Sequence, residues 1–265
     1  LADRAIGVFD SGIGGLTVLK ALLSQLPGES LIYLGDTARV PYGTKSAQTV
    51  RRYALEAAGF LVARQVKLLV CACNTASSVA LSDLEDRFTQ PIVGVIEPGA
   101  RRAAALTRSG RVGIIGTEGT IKSGSYKRAV RALNPDIEVF SAPCPLFVPL
   151  VEEGWADHAV AVAVAREYLA PLMAAGIDTL VLGCTHYPVL KSTLRQAMGP
   201  GIELVDSAEE TAKTVANMLR AGDLIRGDSP PAPRFFVTDE PDRFVRVGTG
   251  VLGINLERVE KVEID

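Results

Sequence analysis

The chain has 265 residues, 48% of them hydrophobic, and a formal net charge of −2, enough apolar material for a large core and two lobes. No basic stripe is present, because Lys45, Arg51, Arg52 and Arg64 are spaced as a solvated helix face, so nucleic acid is not an expected partner. The run AVAVAVAREYLAPLMAAGI is broken by Arg166 and Glu167, LADRAIGVF reads as a charged lead into a strand, and there are four cysteines; membrane-spanning, exported and disulfide-scaffold classes are disfavoured, and reduced thiols in a cytoplasmic protein are expected.

In chain order, β-branched apolar runs at 5–9, 31–35, 67–72, 92–96, 111–116, 138–141, 179–183 and 203–205 predict strands. Helical patterns fall between them, for example at 46–64, 157–175 and 208–221. This alternation predicts parallel sheets with helices on both faces, and the unbroken apolar character predicts strands buried on both sides. After the last of these helices, a Pro-rich linker at 228–233 leads to strands near 234–238 and 259–264, placed to complete the first sheet.

The two halves repeat one order of motifs. GVFDSGIGG, YLGDTARVPYG, LVCACNT and VGVIEPG in the first are followed by GIIGTEGT, VFSAPCPLFVP, LVLGCTH and ELVDSAE in the second. Matching strand ends pairs Asp10 with Thr117, Asp36 with Cys144, Cys73 with Cys184 and Ile96 with Val205 at nearly equal offsets. Any two α/β lobes can be aligned loosely, but the Cys–polar pairs fall on the same strand of each half, which favours duplication. The expected fold is therefore α/β with two pseudo-symmetric lobes, each a mainly parallel sheet with helices on both faces. Residues 1–97 with 207–265 form a discontinuous first lobe, residues 98–206 the second, and the active site lies in the cleft between them, beyond the strands' carboxyl ends.

Cys71 and Cys144 read as small buried apolar groups. Cys-x-Cys at 71 and 73 has no compact His/Cys set beside it, so no metal is expected. Cys73 and Cys184 each follow a strand and precede a helix start. A free thiol titrates near pH ~8.5, so roughly 3% is thiolate at pH 7. A helix N-terminus worth ~1–2 kcal/mol raises that share to roughly a quarter, before burial acts in the opposite sense. Inverting a stereocentre by proton transfer needs a base on one face of a carbon and an acid on the other, and two thiols from related lobes supply that pair. Asn74, Thr75 and Thr185, with nearby amides, offer donors for a small anionic substrate, although helix capping is the ordinary use of such residues. DSGIGG at 10–15 is a glycine-rich turn distinct from the dinucleotide fingerprint, with Ser11 as a donor. VPYG at 40–43 is a second turn whose amides can do likewise. His186 is placed to share a proton with a thiol, while His158 falls in a helical pattern. Either Glu152 or Glu153 can face the cleft.

FDSGIGGLTVL, GDTARVPYG, CNTAS, GVIEPG and GCTHYP, in that order and along the whole chain, resemble the glutamate racemase family within the wider aspartate/glutamate racemase superfamily. The resemblance implies interconversion of L- and D-glutamate with no cofactor or metal, by Cys73 and Cys184 on opposite faces of the α-carbon. It implies substrate contacts at Asp10, Ser11, Tyr42, Gly43, Asn74, Thr75, Thr117, Thr185 and His186, and assistance to the thiols from Asp10, Glu152 and His186. It also implies a role in peptidoglycan synthesis and a homodimer. The competing readings are a racemase of aspartate or another acidic amino acid, a Cys–His hydrolase or amidase built on Cys184 and His186, and a two-lobed binding module without turnover.

Overall fold

Five consecutive buried residues, Ile6 to Asp10, begin the first sheet, as the unbroken apolar run predicts. The computed structural model describes residues 1–227, 230–253, 256 and 258–264. Its first half runs β1 (Ile6–Asp10), α1 (Leu16–Gln25), β2 (Leu31–Gly35), α2 (Ala47–Val62), β3 (Leu68–Cys71), α3 (Asn74–Arg87), β4 (Ile92–Gly94) and α4 (Ile96–Leu106). The second begins with β5 (Arg111–Gly116), α5 (Glu118–Ser123), α6 (Ser125–Leu133), β6 (Glu138–Pro143) and α7 (Phe147–Glu152). It continues through α8 (Ala159–Ala174), β7 (Thr179–Gly183), α9 (Lys191–Met198), β8 (Glu203–Asp206) and α10 (Ser207–Ala221). The chain returns through β9 (Arg234–Val237), α11 (Pro241–Leu252) and β10 (Val259–Lys261).

The strands form two wholly parallel sheets, ordered β10-β9-β2-β1-β3-β4 and β6-β5-β7-β8. The order β2-β1-β3-β4 in one is matched by β6-β5-β7-β8 in the other, the correspondence expected from the repeated motifs. The two late strands extend the first sheet beyond β2, as the sequence predicts. In the first sheet, α2 and α3 cover one face with Ala54, Ala58, Leu61, Ala80 and Leu84 against Phe9, Leu34 and Leu69. The other face packs on Leu16, Leu19 and Leu22 of α1 and Val215 and Leu219 of α10. The second sheet carries α7, α8 and α9 on one face and α4 with α6 on the other. Helix α4 follows the first sheet yet packs on the second, and α10 follows the second yet packs on the first. These exchanged helices bind the two halves into one body.

Local chemistry explains most element ends. Ser46 caps α2 by accepting from the Thr49 amide, and Asp206 caps α10 by accepting from Ala208. His158 does not lie inside a helix; it precedes α8, accepts from the Val160 amide through Nδ1 and stacks on Trp155. Two further expectations are corrected. The run at 92–96 is not one strand, because Ile96 already opens α4 with Pro98 in the first turn; both states are buried there, so hydrophobicity alone cannot separate them. Nor are all strands buried on both faces: β6 and β10 are sheet edges with largely exposed or half-exposed residues. Of the Pro-rich linker, residues 228 and 229 lie outside the described residues. No described helix is long and apolar enough to cross a membrane.

Candidate active site

Parallel strands deliver their carboxyl-end loops to one edge of a sheet, and here the two such edges share a cavity. It is lined by Ser11, Tyr42, Gly43, Cys73, Asn74 and Thr75 from the first sheet's loops and by Thr117, Glu152, Cys184, Thr185 and His186 from the second's. Asp10 lies buried at the end of β1 beside it. Every site residue expected from the sequence is thus brought to one place, with one cysteine from each sheet.

Cys73 occupies the cap position of α3, and its Sγ donates to Ser11 Oγ at 3.6 Å. Burial, followed by the charge of Asp10, pushes its thiol up to about 12, against smaller opposing bonds from the Ala76 amide and Ser11. The expectation of a substantial thiolate fraction at this helix start is therefore corrected: desolvation outweighs the helix end, and Cys73 rests as a thiol. Burial also raises the Asp10 carboxyl, against the opposing influence of His186 and of amides at Gly12, Gly15 and Ser11. Asp10 Oδ2 accepts from the Gly12 amide at 2.9 Å, while buried Oδ1 has no hydrogen-bond partner among the described residues.

Cys184 is differently served. It stands before a single 3-10 turn, Tyr187–Leu190, capped by His186, so no α-helix start faces its sulfur. Instead Sγ lies 3.8 Å from His186 Nδ1, and His186 Nε2 lies 2.9 Å from Glu152 Oε1. Burial opposes the charged imidazole, yet the bonds to Cys184 and Glu152 prevail and carry it from an ordinary 6.5 to about 10. Burial likewise opposes ionisation of Glu152, but His186 and Arg243 hold its carboxyl below the usual value. A charged His186 has an N–H for each neighbour, one toward the carboxylate and one toward sulfur. The choice between Glu152 and Glu153 is resolved by geometry, since Glu152 meets His186 and Glu153 is exposed.

The remaining polar groups are set by contacts between the halves. Tyr126 OH donates to Asn74 Oδ1 at 2.7 Å, leaving buried Asn74 Nδ2 without a partner among the described residues. Thr75 Oγ1 lies 3.0 Å from Thr117 Oγ1 and 3.3 Å from Thr120 Oγ1. Thr17 Oγ1 donates to the Thr185 carbonyl at 2.8 Å. The Tyr42 hydroxyl donates to Asp36, so its proton is already engaged, and the ring packs against Tyr53. Two glycines permit the close approach: a Cβ on Gly43 would stand 2.7 Å from Thr117 Cβ, and one on Gly14 would stand 2.4 Å from Thr185 Oγ1. Sequence reasoning missed Arg243, Tyr126, Thr120 and the Asp36–Arg39 pair. Only the last carried a signal, since both residues sit in GDTARVPYG.

Two like parallel sheets that enclose a cleft, each supplying one cysteine flanked by polar side chains, are the architecture of an α/β enzyme. Residues 6–215 match the Asp/Glu/Hydantoin racemase family, and the chain belongs to that family. It is 59% identical over 263 residues to the glutamate racemase of Geobacter metallireducens, covering 99% of this chain and 97% of the relative. Among solved structures, glutamate racemase isoform RacE1 from Bacillus anthracis superposes with a TM-score of 0.96 at 39% identity, over 99% of this chain and 98% of that one. The Francisella tularensis glutamate racemase in complex with D-glutamate gives a TM-score of 0.94 at 40% identity, with the same coverage of 99% and 98%.

Proposed function

We propose that this chain interconverts L- and D-glutamate by passing the α-proton between Cys73 and Cys184. The observation that carries the reading is that these cysteines come from corresponding strand ends of two matching sheets and line one cavity. Glutamate is favoured over other acidic amino acids by the full-length likeness to glutamate racemases.

Racemisation changes no oxidation state: one C–H bond breaks, a new one forms on the opposite face, and two protons exchange places with sulfur. Cys73, kept as a thiol by burial, is poised to donate. Cys184 Sγ lies 3.8 Å from His186 Nδ1, a neighbour for proton exchange that suits Cys184 to the first abstraction. After one turnover the protonation states are reversed, and the enzyme is set for the opposite enantiomer. His186 with Glu152 serves the Cys184 sulfur, and Asp10 with Ser11 serves Cys73. The Asn74 amide, the hydroxyls of Thr75, Thr117 and Thr185, and the Gly43 backbone are placed to hold substrate carboxylates. A lobe of residues 1–97 with 207–265 closing on a lobe of 98–206 accounts for two sulfurs reaching one carbon. The four free, buried cysteines suit a reducing cytoplasm. Supply of D-glutamate for peptidoglycan and assembly as a homodimer complete the reading, by likeness to the family.

The test is L-glutamate in deuterated water, followed by chiral chromatography and mass spectrometry, with L-aspartate alongside. Each inversion is expected to place solvent deuterium at the α-carbon of glutamate. Retention of the original hydrogen through complete racemisation would sink the proton-transfer scheme. Turnover of a carboxamide by Cys73→Ala, with an acyl group trapped on Cys184, would replace it with the hydrolase reading.

A further inference from the structure

We propose that Arg243, on helix α11, is a positioning residue that fixes the Glu152 carboxylate against His186 and so keeps the imidazole proton directed at Cys184. This rests on the reading of Cys184 as one of the two acid–base thiols. Glu152 uses both of its oxygens: Oε1 meets His186 Nε2 at 2.9 Å, and Oε2 accepts from Arg243 Nη2 at 2.9 Å. His186 Nδ1 in turn faces Cys184 Sγ at 3.8 Å. Arg243 comes from the C-terminal segment, Glu152 from α7 and His186 from the loop after β7. Three distant stretches therefore meet in one line of charge that crosses between the sheets and ends on a sulfur.

The chemistry of that line gives Arg243 a definite task. An imidazolium held between a carboxylate and a sulfur can lose its proton to either. A cation on the carboxylate's second oxygen makes the whole carboxylate a poorer proton acceptor and fixes its plane, leaving sulfur as the partner for proton exchange. Arg243 and Glu152 also line a small recess with Gly12, Ile13 and Val40, three residues that border the main cavity as well. The guanidinium thus stands at the cleft wall. Other titratable groups act on the same line. Asp10 influences His186 from the end of β1, Cys184 faces it directly, and Glu240 borders the recess beside Arg243. The Arg243 side chain is 42% exposed, so its influence on Glu152 is screened rather than that of a buried charge.

The chain has two histidines, so imidazole ¹⁵N NMR of the full protein reads His186 directly, with His158→Asn for assignment. Protonation of Glu152 removes the acceptor from Nε2–H and produces an acidic inflection in the His186 shifts. Arg243→Met is expected to move that inflection upward by roughly half a unit, the size appropriate to a half-exposed neighbouring charge. Arg243→Lys is expected to return it most of the way. In turnover of L-glutamate, Arg243→Met should lower kcat several-fold, with KM little changed and the acidic limb of the pH profile displaced in the same direction. An inflection that stays in place in Arg243→Met overturns the proposal. So does a fall in kcat that follows the melting temperature without moving the inflection, because that is loss of structure. Should the inflection move while the unmodified protein leaves glutamate untouched, the role of Arg243 stands and the reading of the reaction falls. Racemisation by the unmodified protein with an unmoved inflection in Arg243→Met does the opposite: the reaction stands and the role of Arg243 falls.

Discussion

At the scale of single residues, the two thiols differ less in sequence than in surroundings. CNT and CTH each follow an apolar strand with a cysteine and two polar residues, yet Cys73 faces a hydroxyl and a buried carboxyl while Cys184 faces an imidazole. Equivalent backbone positions have acquired chemically unequal neighbours, a raised carboxyl beside one sulfur and a raised imidazole beside the other. The His186–Glu152 pair also makes stability depend on pH. Against the cost of burial, the bonds to Cys184 and Glu152 push His186 up from 6.5 to about 10, so its contribution is complete below pH 6.5 and disappears as pH rises through 10. Glu152 is lowered, so its contribution is present above its ordinary value and is lost as pH falls through the folded one. Chemical denaturation at pH 7 and pH 10.5 is expected to show His186→Asn less sensitive to the alkaline step than the unmodified chain. The difference should be about 1.5–3 kcal/mol, the usual worth of a hydrogen bond to a charged group. Equal alkaline losses in the two proteins would mean that His186 is not held in its charged form.

At the scale of elements, the β1–α1 turn shows how the bare backbone of a glycine-rich stretch serves a site alongside its one hydroxyl, Ser11. A Cβ on Gly14 would lie 2.4 Å from Thr185 Oγ1 and 2.5 Å from the His186 ring, so that loop of the second sheet can seat only against bare backbone. Gly14→Ala should push Thr185 and His186 outward by a fraction of an ångström to an ångström. A displacement of that size can cost on the order of 10²-fold in rate, and kcat/KM is expected to fall by that order while the melting temperature changes little. Kinetics indistinguishable from the unmodified protein would show that the loop has room to spare. The same turn marks what sequence could and could not reveal. Asp10, Cys73, Thr117 and Cys184 were legible because each ends an apolar run, and strand ends must gather at one edge of a parallel sheet. The start of α4 was hidden because Val93, Gly94, Val95 and Ile96 form one apolar run across a strand end and a helix start. Tyr126 and Arg243 were hidden for a different reason. Each is a single polar residue on an amphipathic helix, and nothing local says that its face meets a site residue far away in the chain.

At the scale of the whole molecule, the first sheet needs its C-terminal strands, and a buried ion pair shows how the late segment is tied in. Lys67, at the entry to β3, is fully buried and meets Glu29 Oε2 at 2.6 Å. Its ammonium also donates to the Ala2 carbonyl at 2.6 Å and the Leu224 carbonyl at 2.7 Å. Glu29 accepts in addition from the Arg226 amide at 2.8 Å. One side chain thereby joins the N-terminal residues, the approach to the central strands and the segment that leaves α10 for β9. Such a pair gains little over apolar residues of equal volume, yet removing one member strands the other, at a typical cost of ~3–5 kcal/mol. For a chain of this length that corresponds to a fall in melting temperature of roughly 10 °C in Lys67→Met. Adding Glu29→Leu to that variant should recover part of the loss, because no charge is then left unpaired. Proteolysis should become faster after residue 224, where the tether is lost, before the second sheet is cut. If Lys67→Met melts with the unmodified protein, or opens first within residues 111–206, the late strands are anchored by their ladder and apolar packing alone, and the ion pair is incidental to the closure of the first sheet.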